Sequence, residues 1–318
     1  MAKRGRKIEP SQSDEIYLTQ LCQGTLKVIK RIVNDALARA REEPDVAFSE
    51  VQLQGKIKKR AMRIDLAAED NFERELHKVN KCQFYDIKVS GEERRTSLAT
   101  AGSVVALVDA IDGSDLFERG LGNWCSAVLY FDPRKEPGSR IIASFVAIPE
   151  PSLRIYYARS DGDFAWVKSS NSSRRVAGPS GVKNLSEASL CFYGQKAGRF
   201  CAFADTPLIR KMAALDESFR IYNLGGNPML VRLVDSGMAA ARGIDAVVEL
   251  GAGQKAHDFV AGAYIAKKGG ARLVNLDASE LTYEQMENTL LQPGRRFTYV
   301  AASSPELVEH ILRPLPGT

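Results

Sequence analysis

Histidine is nearly absent from this chain. His77, His257 and His310 are the only three among 318 residues, so a mechanism built on two imidazoles has almost no material. Cysteine is scarce and irregular. Cys22, Cys82, Cys125, Cys191 and Cys201 are odd in number and contain no C-x-x-C pair, which argues against a disulfide framework or a thiolate zinc site. We read them as reduced, mostly buried thiols of a cytoplasmic protein. Long hydrophobic runs are missing too: the longest, residues 103–111 and 141–148, are strand-sized and fall short of the roughly 18–20 residues that cross a bilayer. Neither sign of charge dominates, since 44 Lys and Arg face 39 Asp and Glu, and an excess of +5 does not announce a nucleic-acid partner. Part of that excess is a short basic tail, Lys3, Arg4, Arg6 and Lys7, with no apolar segment behind it; it reads as a solvated terminus, not a secretory signal. Also lacking are the G-x-x-x-x-G-K-[ST] loop, the G-x-G-x-x-G turn, the G-x-S-x-G elbow and H-E-x-x-H, which removes most of the weight from phosphate-loop NTPase, dinucleotide-binding and zinc-hydrolase readings.

What is present is the makings of a large layered fold. Apolar residues recur at helical spacing over residues 13–43, and a second amphipathic helix starts near the acid-rich Asp65-Leu-Ala-Ala-Glu-Asp70 and runs to Val79. Short strand-like runs follow at 103–108, 124–131, 141–148, 154–158 and 163–167, separated by Gly, Pro and Asp, which predicts an antiparallel meander. Residues 169–184, rich in Ser, Gly, Arg and Asn, read as a loop joining two halves. Beyond it, strands at 190–193, 219–223, 246–250, 271–274 and 298–302 alternate with helices at 207–215, 228–238, 259–268 and 305–312, as α/β units do. The expected division is 1–184 and 185–318, forming one compact unit.

The chemistry is carried by acids. Val108-Asp109-Ala110-Ile111-Asp112-Gly113-Ser114 directly follows an apolar strand, and strand ends are where α/β sheets place ligands. Asp109 and Asp112 can aim oxygens at one hard cation such as Mg²⁺, while the Gly113 and Ser114 amides face an anion. Alone, such a turn is more often plain hydrogen-bonded turn chemistry. Gly91-Glu92-Glu93 upstream and His257-Asp258 at a helix start downstream change that weighting, although each is separately explicable as a loop charge or a helix-start acid.

Taken together, these segments resemble the inositol monophosphatase family, the lithium-sensitive Mg²⁺-dependent phosphatases whose relatives include fructose-1,6-bisphosphatases and phosphoadenosine phosphatases. The family pattern runs from a helix acid through G-E-E, then D-P-I-D-G-T, then W-D with A-A-G and G-G. Here it reads AAED ending at Asp70, GEE at 91–93, DAIDGS at 109–114 and HDFVAGAYIAKKGG at 257–270. The resemblance implies an α/β fold, the layered α/β/α/β/α sandwich of the inositol monophosphatase and sugar phosphatase type. It implies one Mg²⁺ held by Glu92, Asp109 and the Ile111 carbonyl, a second by Asp109, Asp112 and Asp258, and a third, weaker ion leaning on Glu92. It further assigns Asp70 and Ser114 to activation of the nucleophilic water, with Glu92 beside them, and Gly113, Ser114, Glu249 and Asp258 to the substrate. Homodimers and lithium sensitivity come with it.

Departures bear on specificity. Ala110 stands for proline, Ser114 for threonine and His257 for tryptophan, and the segment from Asp115 to Trp124 differs from the T-N-F-x-H-G-x-P of inositol phosphatases. Lys255, Arg119 and Arg199 are candidates to meet a second phosphate. The expectation is a metal-dependent phosphoric monoester hydrolase acting on a small polyol or sugar phosphate. Fructose 1,6-bisphosphate and 3′-phosphoadenosine 5′-phosphate are the alternatives, and the non-enzymatic rival is an interaction protein that keeps the fold and binds RNA or a transcription complex. No membrane partner is expected.

Overall fold

Helix α1 (Gln12–Glu42) exists because its apolar residues fall three and four apart: Tyr17, Leu18, Leu21, Val28, Ile29, Ile32 and Val33 are all buried. Thr25 sits in the same stripe without penalty, since its hydroxyl donates to the Leu21 carbonyl and shares a 2.7 Å hydrogen bond with the Tyr130 hydroxyl. A short helix α2 (Pro44–Ala47) and a two-stranded ribbon, β1 (Glu50–Gln52) with β2 (Arg60–Met62), lead to α3 (Arg63–Asn80). There Ile64, Ala68, Phe72 and Leu76 recur every fourth residue on the buried face.

Both helices cover one face of a seven-stranded sheet whose order follows the chain: β3 (Ile87–Gly91), β4 (Val104–Asp112), β5 (Cys125–Phe131), β6 (Ile141–Ile148), β7 (Arg154–Arg159), β8 (Ala165–Lys168) and β9 (Ser173–Arg175). A one-turn helix α4 (Ser114–Glu118) separates β4 from β5. Every residue of β5 and β6 is buried, which explains why these strands read as unbroken apolar runs instead of alternating.

The second half supplies β10 (Ser189–Phe192), α5 (Ala197–Ala204), α6 (Pro207–Ala213), β11 (Arg220–Tyr222), α7 (Asn227–Leu233), β12 (Ala246–Lys255), α8 (Ala256–Lys268), β13 (Arg272–Val274), α9 (Tyr283–Leu291), β14 (Arg296–Ala302) and α10 (Pro305–Leu312). Its sheet is mixed, in the order β11-β10-β12-β14-β13, with β10 parallel to β11 and β12, and β14 antiparallel to β12 and β13. Helices α7 and α8 lie between the two sheets, and α5, α6 and α10 cover the outer face of the smaller one. The result is the expected α/β/α/β/α layering. The layers are pinned by polar ties: Ser144 donates to the Ala261 carbonyl at 2.9 Å, and the buried Glu287 carboxylate accepts the amides of Gly138, Arg140 and Ile141.

The computed structural model describes residues 12–52, 60–80, 87–92, 103–149, 151–169, 172–193, 197–214, 220–224, 226–236, 243–292 and 294–313. The basic tail at residues 3–7, Cys82 and Glu93 lie outside them. Two expectations change. The predicted meander, β4 to β8, is antiparallel throughout, but the sheet gains β3, a strand outside the predicted runs, which lies parallel to β4. The serine-rich joining segment contains a strand, β9, whose Arg174 forks onto the buried Asp235 carboxylate through two 2.9 Å hydrogen bonds and so gains a partner that local composition does not reveal. Among the described residues no helix is long and apolar enough to cross a membrane.

Candidate metal and phosphate site

The site begins at the end of β4. Residues three apart on a regular strand face opposite sides of a sheet, so Asp109 and Asp112 would diverge. A register shift lies between them: Asp109 pairs with Ala127 and Asp112 with Cys125, so three steps along β4 match two along β5. That extra residue is a bulge, and it returns Asp112 to the side of Asp109. Glu92 arrives beside them because β3 is parallel to β4, and its amide continues the ladder to the Val108 carbonyl at 3.0 Å. Asp258 comes from the first turn of α8, where a carboxylate is favoured by the helix dipole, and its Oδ2 accepts the Lys255 amide at 3.3 Å.

Glycine makes the closure possible at two points. Gly226 has φ +79°, and a Cβ there would stand 3.2 Å from the Asp258 carbonyl and 3.4 Å from Asp112 Oδ2. Gly113 has φ +88°, with the Asn123 carbonyl 3.1 Å from where a Cβ would be. Both positions suit glycine through conformation and through space.

The electrostatics are those of crowded carboxylates that one imidazole and one ammonium offset only in part. Burial, then the charges of Glu92, Asp112, Asp258 and Asp65, hold the Asp109 carboxyl well above the usual range. Asp112 is pushed up to about 8 by burial and by Asp258, against the hydrogen bond from Asn227. His257 sits among them, its Nε2 2.8 Å from Glu92 Oε1 and 3.1 Å from Asp258 Oδ1. Burial opposes its charge, but its hydrogen bonds to Asp258 and Glu92 prevail and raise it to about 9. Lys255 Nζ stands 3.8 Å from Glu92 Oε1. A cavity of about 300 Å³ with apolar walls at Leu107, Leu129, Val260 and Ala261 opens beside Glu92, Asp109 and His257. Those walls keep the dielectric around the acids low.

The donor set fits a divalent cation. Carboxylates that raise one another's pKa are stabilised together only when positive charge is added, and oxygens from Glu92, Asp109, Asp112 and Asp258 with the nearby Ile111 backbone are ligands of the hard kind.

Of the remaining expected residues, Ser114 is half-buried as the first residue of α4 and Gly113 caps that helix. Asp70 is exposed on α3, and the acid whose charge reaches Asp109 is Asp65. The reason is helical periodicity: five residues rotate a side chain by about 140° from the line of Asp65, onto a different face. Asp65 is further fixed by the Met62 amide, which donates to its Oδ2 at 3.3 Å. Glu249 is buried and spends one oxygen on its own strand, accepting the amides of Gly251 at 3.2 Å and Gly253 at 3.0 Å, which shapes an irregularity in β12; its Oε2 has no hydrogen bond among the described residues. Arg199 lies over the Tyr193 ring at 4.5 Å and acts on the Glu249 charge, while Arg119 is exposed on the turn after α4. Sequence reasoning also passed over Asn227, whose side chain donates to Asp112 and to the His257 carbonyl, and Cys125, whose thiol faces Asp112 Oδ2 at 3.7 Å. The only local signal for Asn227 was its place at the start of a helix, before Pro228.

No family model matches the sequence, and no curated protein does. Solved structures do. A hypothetical protein from Pyrococcus horikoshii, described as having similarities to inositol-1 monophosphatase, superposes with a TM-score of 0.62 at 21% identity, over 92% of this chain and 96% of its own. An inositol monophosphatase from Thermotoga maritima gives 0.63 at 17% identity, over 91% and 93%. An inositol monophosphatase/NADP phosphatase in complex with NADP and Ca²⁺ gives 0.63 at 16% identity, over 95% and 96%. Across nearly its whole length, the chain has the fold of the inositol monophosphatase family.

Proposed function

We propose that this chain is a Mg²⁺-dependent phosphomonoesterase that hydrolyses a small polyol or sugar phosphate with an activated water. The observation that carries this reading is the convergence of Glu92, Asp109, Asp112 and Asp258, from two strand ends and a helix start, on one half-buried cluster in which each of the others raises the pKa of the buried Asp109. Glu92, Asp109 and the Ile111 carbonyl would hold one ion, and Asp109, Asp112 and Asp258 a second. Bound there, the ions supply the positive charge that neutralises phosphoryl oxygens and lowers the pKa of water.

The chain's own residues do the rest. The Ser114 hydroxyl orients the attacking water, and Asp65, in place of the expected Asp70, receives its proton. Gly113 and Ser114 present backbone amides to the phosphate. Glu249 turns its second carboxylate oxygen, the one its own loop leaves unbonded among the described residues, to a hydroxyl of the leaving alcohol.

The test is phosphate release with and without Mg²⁺ over inositol monophosphates, fructose 1,6-bisphosphate, glycerol 2-phosphate and 3′-phosphoadenosine 5′-phosphate. A strong, Mg²⁺-dependent preference for one ester supports the reading and names the substrate. Silence across the panel from folded, ion-binding protein would move the weight to the interaction-protein alternative.

A further inference from the structure

His257 places a nitrogen donor where the other candidate ligands are oxygens. Its side chain is 11% exposed, and one donor atom from each of Glu92, His257 and Asp258 lies within 4.8 Å of the other two. The two edges that meet at Nε2 measure 2.8 Å to Glu92 and 3.1 Å to Asp258. Donors bound at about 2.1 Å to a single ion, at right angles to each other, are separated by roughly 3.0 Å. Both edges therefore already have the span of a chelating face.

We propose that Glu92, His257 and Asp258 together hold a divalent transition-metal ion, with His257 Nε2 as the ligand that turns this position of the site away from Mg²⁺. The proposal rests on the phosphatase reading for its catalytic meaning and deepens it by adding, beside the two Mg²⁺ positions that share Asp109, a third position with its own metal class. Mg²⁺ keeps to oxygen and water in strict octahedral geometry, whereas imidazole suits later divalent metals such as Fe²⁺, Ni²⁺ and Zn²⁺; Mn²⁺ is the weakest of that series and serves as its paramagnetic probe.

The three ligands are held from behind. The Asn227 amide donates to the His257 carbonyl at 2.8 Å, Asp258 Oδ2 accepts the Lys255 amide at 3.3 Å, and the Glu92 amide is tied to β4 at 3.0 Å. These ties place the backbones of His257 and Glu92, and the Lys255 amide orients the Asp258 carboxylate directly. Lys255 Nζ, 3.8 Å from Glu92 Oε1, tempers the charge of that carboxylate from outside the triad.

The experiment uses the full chain stripped of metal and then loaded with Mn²⁺ or Mg²⁺ alone. Binding is measured by calorimetry, and the bound Mn²⁺ is examined by pulsed electron paramagnetic resonance for coupling to ¹⁴N. The wild type is compared with His257→Gln and, in case the amide misplaces the helix start, with His257→Trp; circular dichroism verifies that each is folded. Nearly every nitrogen- and oxygen-lined site favours later metals over Mg²⁺, so the readout is the change in the ratio between variants, not the preference itself. We expect a ¹⁴N coupling in the wild type that both variants lose, and a fall in Mn²⁺ affinity of about tenfold or more with Mg²⁺ affinity changed far less. Absence of ¹⁴N coupling in Mn²⁺-loaded wild type, or equal losses for both ions, would overturn the proposal and leave His257 as an ion-pair partner of two carboxylates. A nitrogen-coupled ion in a protein that releases phosphate from no ester would retain this site and sink the proposed function instead.

Discussion

Asn227 joins the two halves of the site: its Nδ2 donates to Asp112 Oδ2 at 3.0 Å and to the His257 carbonyl at 2.8 Å, and its Oδ1 accepts the Gly262 amide at 2.7 Å. The residue is fully buried, so truncation leaves groups on β4 and α8 without their partner inside the protein. Asn227→Ala should cost about 2–3 kcal/mol of stability and weaken divalent-ion binding by about tenfold. Denaturant melts and calorimetry read the two effects. A stability loss with unchanged ion affinity would show that Asn227 holds the layers together but does not aim Asp112.

Asp109 is the group with most to lose from the absence of cations. Its ionised form is penalised by burial and by four neighbouring acids, so the carboxylate that serves the ions destabilises the empty fold. Asp109→Asn should reduce turnover by at least about 100-fold and at the same time raise the melting temperature of the metal-free protein. Added Mg²⁺ should stabilise the wild type more than the variant, because ligands that bind only the folded state add to its stability. Equal melting temperatures with and without Mg²⁺ in both proteins would argue that no ion is held here.

The exchange of Asp70 for Asp65 gives a paired test on a single helix. Asp65→Asn should slow turnover by about 100-fold, the ordinary scale for loss of a general base. Asp70→Asn changes an exposed side chain and should stay within about 0.5 kcal/mol of wild-type stability with its turnover intact. The reverse ranking, read from initial rates with saturating Mg²⁺, would restore the sequence-based assignment.

That exchange also marks how far the sequence could be read. Asp109, Asp112 and Asp258 were legible because they stand at a strand end or a helix start that hydrophobic patterning locates, whereas Glu92 ends a strand that patterning does not predict and was legible only through the G-E-E motif. Asp65, Glu69 and Asp70 share one helix, and the rotation of that helix against the sheet, not its spacing, decides which acid faces inward. Glu287 was hidden because its partners lie more than a hundred residues away, and Asn227 because its partners are on other elements, 115 residues away on β4 and 30 and 35 away on α8. The bulge between Asp109 and Asp112 is likewise set by β5 and not by the sequence of β4. Helix α9 was missed although a local signal existed: Thr282 and Gln285 form a reciprocal capping box at its start.

Gly226 separates backbone strain from chemistry. Alanine there must hold φ near +79° and place its Cβ 3.2 Å from the Asp258 carbonyl. Left-handed backbone costs a non-glycine residue roughly 1–2 kcal/mol. Gly226→Ala should therefore lower stability by about that amount, and the close approach should displace Asp258 from Asp112 and weaken ion binding as well. Calorimetry at a temperature well below the melting transition isolates the second effect; unchanged ion affinity would mean that α8 absorbs the contact without moving its acid.

Glu249 offers a pH test that needs no substrate. Burial raises its folded-state pKa above the ordinary 4.5, although the amides of Gly253 and Gly251 and the charges of Arg199 and Arg296 pull the other way. The folded chain thus holds the Glu249 proton more tightly than the unfolded chain does. Stability contributed by this group is present below the unfolded value and is lost as pH rises from about 4.5 through the folded value. Glu249→Gln keeps an oxygen to accept the two amides but has no proton to lose. Any constant offset from the new amide cancels when two pH values are compared, so the variant should gain on the wild type between about pH 4 and pH 7.5. Thermal melts of both proteins at each pH measure the gain. A constant difference across that range would mean that the Glu249 charge is already compensated in the folded state, by Arg199 or by water reaching Oε2, and would weaken its assignment as a group waiting for a substrate hydroxyl.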